Sequence, residues 1–142
     1  MPKEPVVRIA GPEDATAICD LLDEFNGETL SPDALAERLQ EVQGLETVFL
    51  GELDELAGLL VLRTVPTLSG AEAWAEITEM YVRPTFHRQG VGRALVQAAV
   101  DYGRARGCTE MHLLVDATNV AAQALYEAVG FRRDSWEMRR EL

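Results

Sequence analysis

The chain has 142 residues, of which 47% are hydrophobic and 26% charged, so we predict one folded domain over residues 1–142 and not a disordered chain. No apolar run approaches the roughly 20 residues that cross a bilayer, and the first residues lack the apolar segment of a secretory signal, which predicts a cytoplasmic protein with no membrane partner. The net charge of −11 lies wholly in residues 1–72, which hold 15 acidic and 4 basic residues, whereas residues 73–142 hold 9 of each. This distribution disfavours a nucleic-acid partner and attracts cations, although acidity can also serve solubility alone.

Two amphipathic helices are predicted near the start of the chain. An apolar run from Val6 to Ile9 predicts a first strand, and Pro12 stands where the first helix begins. Asn26-Gly27 ends that helix, whose apolar face carries Ile18, Leu21, Leu22 and Phe25. Ser31 has the position of an N-cap, with Pro32 as the first residue of the second helix.

A hairpin and a further strand follow the two helices. The hairpin begins at Val48, turns at Asp54-Glu55 and resumes in the long apolar run from Leu56 to Val65. Ala73 to Val82 is then predicted as a strand, which Pro84 closes.

The second half of the chain alternates helices and strands. A long helix is predicted from about Gly90 to Arg106, followed by a strand of the buried type from Met111 to Val115. Another helix covers Asn119 to Val129, and Phe131 to about Leu142 supplies one or two last strands. The alternation predicts an α/β fold with a mixed sheet flanked by helices.

A glycine-rich loop at residues 87–94 lies after a strand and at the start of a helix. Its two glycines let the backbone approach a ligand, and the first amides of a helix lack internal partners, a combination that binds phosphate. Arg88 and Arg93 add positive charge there. A dinucleotide fingerprint is excluded because Leu95 stands where its third glycine belongs, and a Walker loop because no lysine follows the glycines. An ordinary tight turn into a helix is the alternative interpretation.

Asn119 and Tyr126 form a second pair of candidates. Asn119 lies between a predicted strand and a predicted helix, so we expect its amide to face a ligand lying in the sheet. Tyr126 is seven residues further on, two helical turns away on the same face, so that one ligand can contact both. The alternative for Tyr126 is a core aromatic with its hydroxyl at the surface.

Together these features resemble the GNAT superfamily of N-acetyltransferases, strongly over residues 73–131 and elsewhere by element order. The resemblance is carried by Glu79-Met80-Tyr81-Val82-Arg83-Pro84, Gln89-Gly90-Val91-Gly92, Asn119, Tyr126-Glu127 and Gly130-Phe131. His87 stands three residues before the first glycine, where the family usually has Gln or Arg. The resemblance implies a mixed, mostly antiparallel sheet flanked by about four helices, with a splayed pair of parallel strands at its centre.

By resemblance, acetyl-CoA is the cofactor and lies in the splay between the strand ending at Val82 and the strand ending near Asp116. Its pantetheine arm would pair with the first of these strands, and its pyrophosphate would lie on the amides of the glycine loop. The implied cofactor-binding residues are Met80, Tyr81, Val82, His87, Arg88, Gln89, Gly90, Val91, Gly92, Arg93, Asn119 and Tyr126. The implied division is an acceptor side in residues 1–72 and an acetyl-CoA-binding core in residues 73–142.

The resemblance also implies the catalytic groups. An alkyl amine with a pKa of about 10.4 is mostly protonated at neutral pH, so a base has to take a proton from it. Glu79 lies beside the expected thioester and is our first choice, with Glu76 or a water chain as alternatives. Tyr126 is placed to protonate the leaving thiolate, and a backbone amide near Met80 to stabilise the carbonyl oxygen. Neither cysteine matches a nucleophile position, which favours direct attack, and neither forms a CxxC pair, so no metal is expected.

The expected acceptor is a primary amine, and the acidic first half favours a cationic small molecule. Substrate-binding candidates are Asp23, Glu24, Glu28 and Glu79. Acetylation of a protein lysine or N-terminus is an alternative, as is a non-catalytic module that senses acyl-CoA. A binder of nucleotide phosphates without acetyl chemistry is a third possibility. Homodimers are common in this fold, and the sequence leaves dimerisation open.

Overall fold

The computed structural model describes residues 3–27, 30–70 and 72–142. Its five strands form one sheet in chain order: β1 Val6–Ile9, β2 Glu46–Leu53, β3 Glu55–Val65, β4 Ala73–Val82 and β5 Cys108–Leu113. The first three pairings are antiparallel, and β4 pairs with β5 in parallel. The predicted α/β class with a mixed, mostly antiparallel sheet is therefore confirmed.

Within these described ranges, four α-helices flank the sheet: α1 Ala15–Asn26, α2 Pro32–Glu41, α3 Val91–Ala105 and α4 Val120–Ala128. Their ends follow the sequence signals. The Ser31 hydroxyl accepts a 3.2 Å hydrogen bond from the amide of Ala34, and Gly27 ends α1 in the left-handed region at φ 79°. The proline at the predicted start of the first helix instead opens a 3₁₀ turn, Pro12–Asp14, which leads directly into α1. No helix within the described ranges is both long and apolar enough to span a bilayer.

The predicted hairpin is present as β2 and β3. Its tight connection has no glycine, and Asp54 supplies the required left-handed conformation at φ 69°. Aspartate tolerates that region better than most residues, because its short polar side chain can bond locally.

Alternation along the strands divides the buried side chains between two cores, one on each face of the sheet. On one face α3 packs through Val91, Leu95 and Val96 against β2, β3 and β4. On the other face α1 packs through Ile18 and Leu21 over β2 and β3. The sheet thus separates a side built from α3 and α4 from a side built from α1 and α2.

The predicted final strands are wrong. Residues 132–142, all of them described, contain no helix or strand, and Trp136 and Met138 are 96% and 95% exposed. Seven of these eleven residues are charged, so the segment lacks a continuous apolar face that would fix it on the sheet. The parallel pair β4–β5 consequently lies at the edge of the sheet and not at its centre.

The strand predicted over 111–115 also differs from expectation. It begins three residues earlier, at Cys108, and ends at Leu113, while Leu114 and Val115 are 64% and 39% exposed. Because β5 is the edge strand and is covered by α3 on one face, only Cys108, Met111 and Leu113 are partly shielded, and the strand is not of the fully buried type.

Candidate active site

A β-bulge in β4 shapes the candidate site. Val61 of β3 pairs with Glu79, but its neighbour Leu62 pairs with Ile77, so Thr78 is an extra residue in β4. The Thr78 hydroxyl donates a 3.4 Å hydrogen bond to the carbonyl oxygen of Val61. A bulge of this kind bends the strand and reverses which face the following side chains occupy.

The bulge directs the last residues of β4 to both sides of the sheet. Ala75 and Ile77 precede it on the α3 face, and Met80 and Val82 follow it on that same face. Tyr81 instead packs with the core under α1. Without the bulge, the strict alternation of a strand would have placed Tyr81 on the α3 side.

The parallel strands part after the bulge. Their last paired residues are Ile77 and Leu113, and β4 continues for five further residues with only β3 beside it. The Arg83 amide donates to Ala57 of β3 and the Tyr81 carbonyl faces Gly58, so alternation turns the main chain of Met80 and Val82 to the open edge. An extended ligand with amide groups can add to such an edge as a strand does.

The amino end of α3 lies beside this edge. The chain enters the helix through two left-handed residues, Arg88 at φ 60° and Gly90 at φ 86°. The first helical hydrogen bond runs from the Ala94 amide to the Gly90 carbonyl oxygen at 3.0 Å. The amides of Val91, Gly92 and Arg93 precede this bond and have no acceptor within the helix, which makes them available to an anion.

Gly92 permits the close packing of three elements at this point. A β-carbon there would lie 3.1 Å from Leu125 Cδ2 of α4 and 3.3 Å from Met80 Cε of β4. A larger residue would push α3 away from β4 and α4. The lining of the gap between β4 and β5, where a ligand could lie, would then change shape.

The polar side chains of the loop have two roles. His87 Nε2 lies 2.8 Å from the Val82 carbonyl oxygen, which accepts its hydrogen bond, and Gln89 Nε2 donates to the Thr85 carbonyl oxygen at 2.9 Å. These two side chains brace the loop. Arg88 and Arg93 form no ion pair with any described residue and remain exposed. A cavity of about 440 Å³ adjoins the helix end and is lined by Glu4, Pro5, Gly90, Arg93, Ala94, Gln97 and Val129.

The two candidates of α4 differ in how the structure uses them. The Asn119 side-chain oxygen accepts a 3.1 Å hydrogen bond from the Ala122 amide and so caps the helix. Tyr126 packs edge-on against Phe131 with ring centroids 5.7 Å apart, in the core that also contains Met80 and Val82. Its hydroxyl bonds to no described residue, and burial raises its pKa, so it holds its proton at neutral pH.

The carboxylates on the α1 side are already partly bonded. Asn26 Nδ2 donates to Glu79 Oε2 at 3.4 Å, and Glu24 accepts hydrogen bonds from Arg83 and from the Tyr81 hydroxyl. The Arg83 guanidinium lowers the pKa of Glu24. Asp23 is exposed beside these groups. Glu28, the fourth predicted acceptor contact, lies outside the described residues.

Arg83 is a residue that sequence reasoning included in a motif without recognising its role. It pairs with Glu24 at 2.9 Å, 59 residues away in sequence, and no local pattern identifies such a partner. One signal was present: Glu79, Tyr81 and Arg83 alternate along a strand and therefore share a face. In the described part of the chain, no group of three or more His, Cys, Asp or Glu side chains is placed to hold a metal ion.

The site as a whole fits an elongated ligand with an amide-bearing arm and a phosphate group. The open edge of β4 offers main-chain groups to the arm, and the free amides of α3 offer donors to a pyrophosphate a short distance away. Two unpaired arginines supply the positive charge. These are the requirements of a coenzyme A thioester, and the residues present meet them.

Comparison with known proteins agrees with this geometry. The sequence matches the acetyltransferase (GNAT) family over residues 15–131. It is 33% identical over 82 residues to mycothiol acetyltransferase of Renibacterium salmoninarum, covering 58% of this chain and 24% of that protein. It is 44% identical over 57 residues to the ribosomal protein bS18-alanine N-acetyltransferase of Escherichia coli, covering 40% of this chain and 38% of that protein. The chain therefore spans about a quarter to two fifths of the length of these curated relatives.

Solved structures extend the likeness to nearly the whole chain. An aminoglycoside acetyltransferase from an uncultured soil metagenomic sample, in complex with sisomicin, aligns with a TM-score of 0.85 at 18% identity over 97% of this chain and 96% of that one. A protein of Arthrobacter sp. FB24, provisionally assigned as an acetyltransferase, aligns with a TM-score of 0.82 at 32% identity over 96% of each chain. The fold is thus shared over nearly the whole chain, and with the family match over residues 15–131 this chain is a member of the acetyltransferase (GNAT) family.

Proposed function

We propose that this protein transfers the acetyl group of acetyl-CoA to a primary amine by direct attack. The observation that carries the proposal is the open edge of β4 beside the unbonded amides of Val91, Gly92 and Arg93. That arrangement has the shape and polarity that the pantetheine arm and pyrophosphate of coenzyme A require. Family membership supports the chemistry.

The main chain of β4 and the start of α3 divide the binding of the cofactor. Met80 and Val82 offer main-chain groups to the pantetheine arm, with the Val82 carbonyl oxygen bonded to His87 in the free protein. Tyr81, which we also expected to pair with the arm, turns its carbonyl to β3. Gln89 braces the loop, and Arg88 and Arg93 supply charge for phosphate groups. Asn119 contributes by capping α4, which fixes the helix that carries Tyr126.

Tyr126 is the proposed general acid. As the amine nitrogen bonds to the acetyl carbon, the carbon–sulfur bond breaks and the leaving thiolate takes the phenolic proton. A thiol has a pKa of about 8.5, and burial raises the pKa of Tyr126 above the ordinary tyrosine value. The Tyr126 hydroxyl is therefore still protonated when the sulfur leaves. The free hydroxyl and the half-buried ring support this role.

Glu79 is the proposed acceptor of the amine proton, directly or through water. It follows the bulge on the face opposite Met80, and the amide of Asn26 orients its carboxylate from 3.4 Å. Glu76, three residues earlier, is the competing carboxylate. It lies on the other side of the bulge, across from Arg63 of β3 and His112 of β5.

The acceptor is proposed to be a cationic small molecule that approaches from the α1 side. Asp23, Glu79 and Glu28 are the carboxylates we expect to attract its ammonium group, with Glu24 held in place by Arg83. The mycothiol and aminoglycoside enzymes among the similar proteins act on small molecules, whereas the ribosomal relative acts on a protein alanine. Acetylation of a protein lysine or N-terminus is therefore the second candidate. A cytoplasmic location remains a prediction from the sequence, and the formation of a homodimer remains open.

The test is release of thiol from acetyl-CoA over a panel of acceptors. The panel contains polyamines, aminoglycosides, lysine peptides and peptides with a free N-terminal alanine, each beside a neutral or acidic acceptor of similar size. We expect release with the cationic amines. Calorimetry with coenzyme A and with ATP accompanies the assay. Binding of coenzyme A without turnover of any amine favours a sensing module, and tighter binding of ATP contradicts the proposal.

A further inference from the structure

Arg83 connects three elements at the end of β4. Its backbone amide donates to the Ala57 carbonyl oxygen of β3 at 2.8 Å, and its Nη1 donates to the Leu56 carbonyl oxygen at 2.9 Å. Its Nε and Nη2 donate to the Glu24 carboxylate of α1 at 2.9 to 3.1 Å. A planar guanidinium can pair with both oxygens of a carboxylate and bond a carbonyl at once in a fixed geometry, whereas an ammonium carries all its donors on one nitrogen and lacks this fork.

The last residues of α1 contact β4 at successive positions. Glu24 accepts a 3.2 Å hydrogen bond from the Tyr81 hydroxyl, and the ring of Phe25 stacks on that of Tyr81 with centroids 5.4 Å apart and planes inclined by 19°. Asn26 then bonds Glu79. We call these contacts, together with the Glu24–Arg83 pair, the α1–β4 clasp.

The clasp contacts the part of β4 that no longer pairs with β5. Residues 78–82 have β3 on one side and an open edge on the other, so their position depends on β3, on the packing of Met80 and Val82 under α3, and on the clasp. β3 approaches closely here, since a β-carbon on Gly58 would lie 2.4 Å from the Tyr81 carbonyl oxygen. Within the described ranges, Arg83 is the one residue whose side chain bonds both β3 and α1, and that side chain is only 27% exposed.

We infer that Arg83 is a positioning residue for acetyl transfer, which sets the open edge of β4 and the end of α1 through the clasp. This inference rests on the proposed function. The side chain lies on the α1 face with Tyr81, away from the edge that Met80 and Val82 present, so it acts through the strand and not by contact with the cofactor. Displacement of reacting groups by about 1 Å can cost about 100-fold in rate, so a small shift of this strand is enough to be measured.

The test compares Arg83→Met and Arg83→Lys with a matched control, Arg8→Met. Arg8 also forms a bidentate ion pair with a carboxylate, that of Asp14, at 2.8 and 2.9 Å. It lies on β1, three strands from β4. Each variant is assayed well below its melting temperature. Coenzyme A affinity is measured by calorimetry, and kcat and KM for both substrates by thiol release.

We expect Arg83→Met to weaken coenzyme A binding about fivefold and to lower kcat/KM for the amine about 100-fold. Arg83→Lys is expected to retain part of both, because its ammonium keeps the charge beside Glu24 but cannot reproduce the bidentate pair. Arg8→Met is expected to lose stability with both kinetic constants unchanged. If Arg83→Met does not fold, Arg83→Lys decides the question.

The outcomes separate the inference from the function on which it rests. If the wild-type protein ignores coenzyme A, the proposed function fails and the inference with it. If the wild type binds and turns over but the folded Arg83 variants match Arg8→Met in affinity and kinetics, the inference alone is overturned.

Discussion

The two halves of the chain use their charged side chains differently. The first half carries the whole net negative charge, yet five of its described carboxylates are paired with arginines: Asp14, Glu24, Glu41, Glu46 and Glu52. In the neutral second half, Arg88 and Arg93 have no ion-pair partner among the described residues. A count of acidic residues therefore overstates the charge available to an acceptor, whereas the arginines beside the glycine loop are available in full.

The two faces of β4 show the same contrast in backbone terms. Toward α3 and α4, the strand meets a helix end with unbonded amides and a glycine at close approach. Toward α1, it is covered by a network of side chains that bond one another. On the side toward α3 and α4, main-chain groups are the ones offered to a ligand, so the identity of most side chains matters little. On the side toward α1, the polar network depends on every one of its side chains.

The largest expected effect distinguishes Tyr126, the proposed general acid, from a tyrosine with a structural role. Tyr126→Phe removes the proposed proton donor and should lower kcat by about 100-fold or more, with coenzyme A affinity within about twofold of wild type. Tyr102→Phe is the control, since its hydroxyl accepts a 3.0 Å hydrogen bond from Thr47 on a distant part of the sheet. It should cost about 1 kcal/mol of stability and leave kcat intact. Equal kcat in all three proteins would remove Tyr126 from the chemistry.

A somewhat smaller effect distinguishes the two carboxylates of β4. Glu79→Gln should lower kcat/KM for the amine by about 10- to 100-fold at neutral pH, because no base then takes the proton. Raising the pH toward about 10 should restore activity, since the acceptor then supplies its own free base. Glu76→Gln, on the other side of the bulge, should retain activity. The assignment is reversed if Glu76→Gln shows the loss and Glu79→Gln does not.

Crowding the junction of β4, α3 and α4 tests the cofactor side. Gly92→Val places carbon atoms against Leu125 and Met80, and overpacking of this kind costs about 1–3 kcal/mol, which should weaken coenzyme A binding about tenfold. Gly103→Ala in the same helix meets its neighbours at 3.7 to 3.9 Å, an ordinary contact, and should raise the melting temperature without altering binding. Unchanged affinity in a folded Gly92→Val protein would contradict the proposed site.

The smallest effect concerns the paired carboxylates of the first half. Arginine partners lower the pKa of Asp14 and of Glu24 in the folded protein. Each group therefore stabilises the fold above its unfolded pKa, and this contribution is lost as the pH falls through the lower folded pKa, below about 4. We expect Asp14→Asn and Glu24→Gln each to reduce the difference in unfolding free energy between pH 7 and pH 3, by about 0.2–1 kcal/mol. Urea titrations at the two pH values measure it, and an unchanged difference would show that the pairs contribute nothing.

The sequence predicted the elements whose signals are local. The Ser31 cap, the Gly27 stop and the amphipathic face of α3 each depend on neighbours within a few residues, and the structure has them as expected. The bulge at Thr78 could not be predicted, because it depends on the register between β3 and β4. The prediction of the last strands was wrong for a related reason: residues 132–142 contain apolar side chains, but no strand in the described part of the chain pairs with this segment.

The candidate site, like the fold, was predictable where its residues lie close together in sequence. The glycine loop, Tyr126 and the end of β4 were identified as contiguous motifs of a known family, so their roles were proposed residue by residue. Glu24 was predicted from charge alone, and the structure bonds it to Arg83. His87 departed from the family's motif, and its ring bonds the Val82 carbonyl oxygen. Glu24 and Arg83 lie 59 residues apart, so no local pattern identifies their pairing. His87 and Val82 are only five residues apart, and their bond depends on the turn between them.

Residue-resolved amide hydrogen exchange, with and without coenzyme A, tests the central claim most directly. We expect coenzyme A to slow exchange at Met80, Val82 and residues 91–93, and to leave α2 unchanged. Slowing at α2 or elsewhere with no change at these amides would contradict the account, because the open edge of β4 and the start of α3 would then not be where the ligand binds.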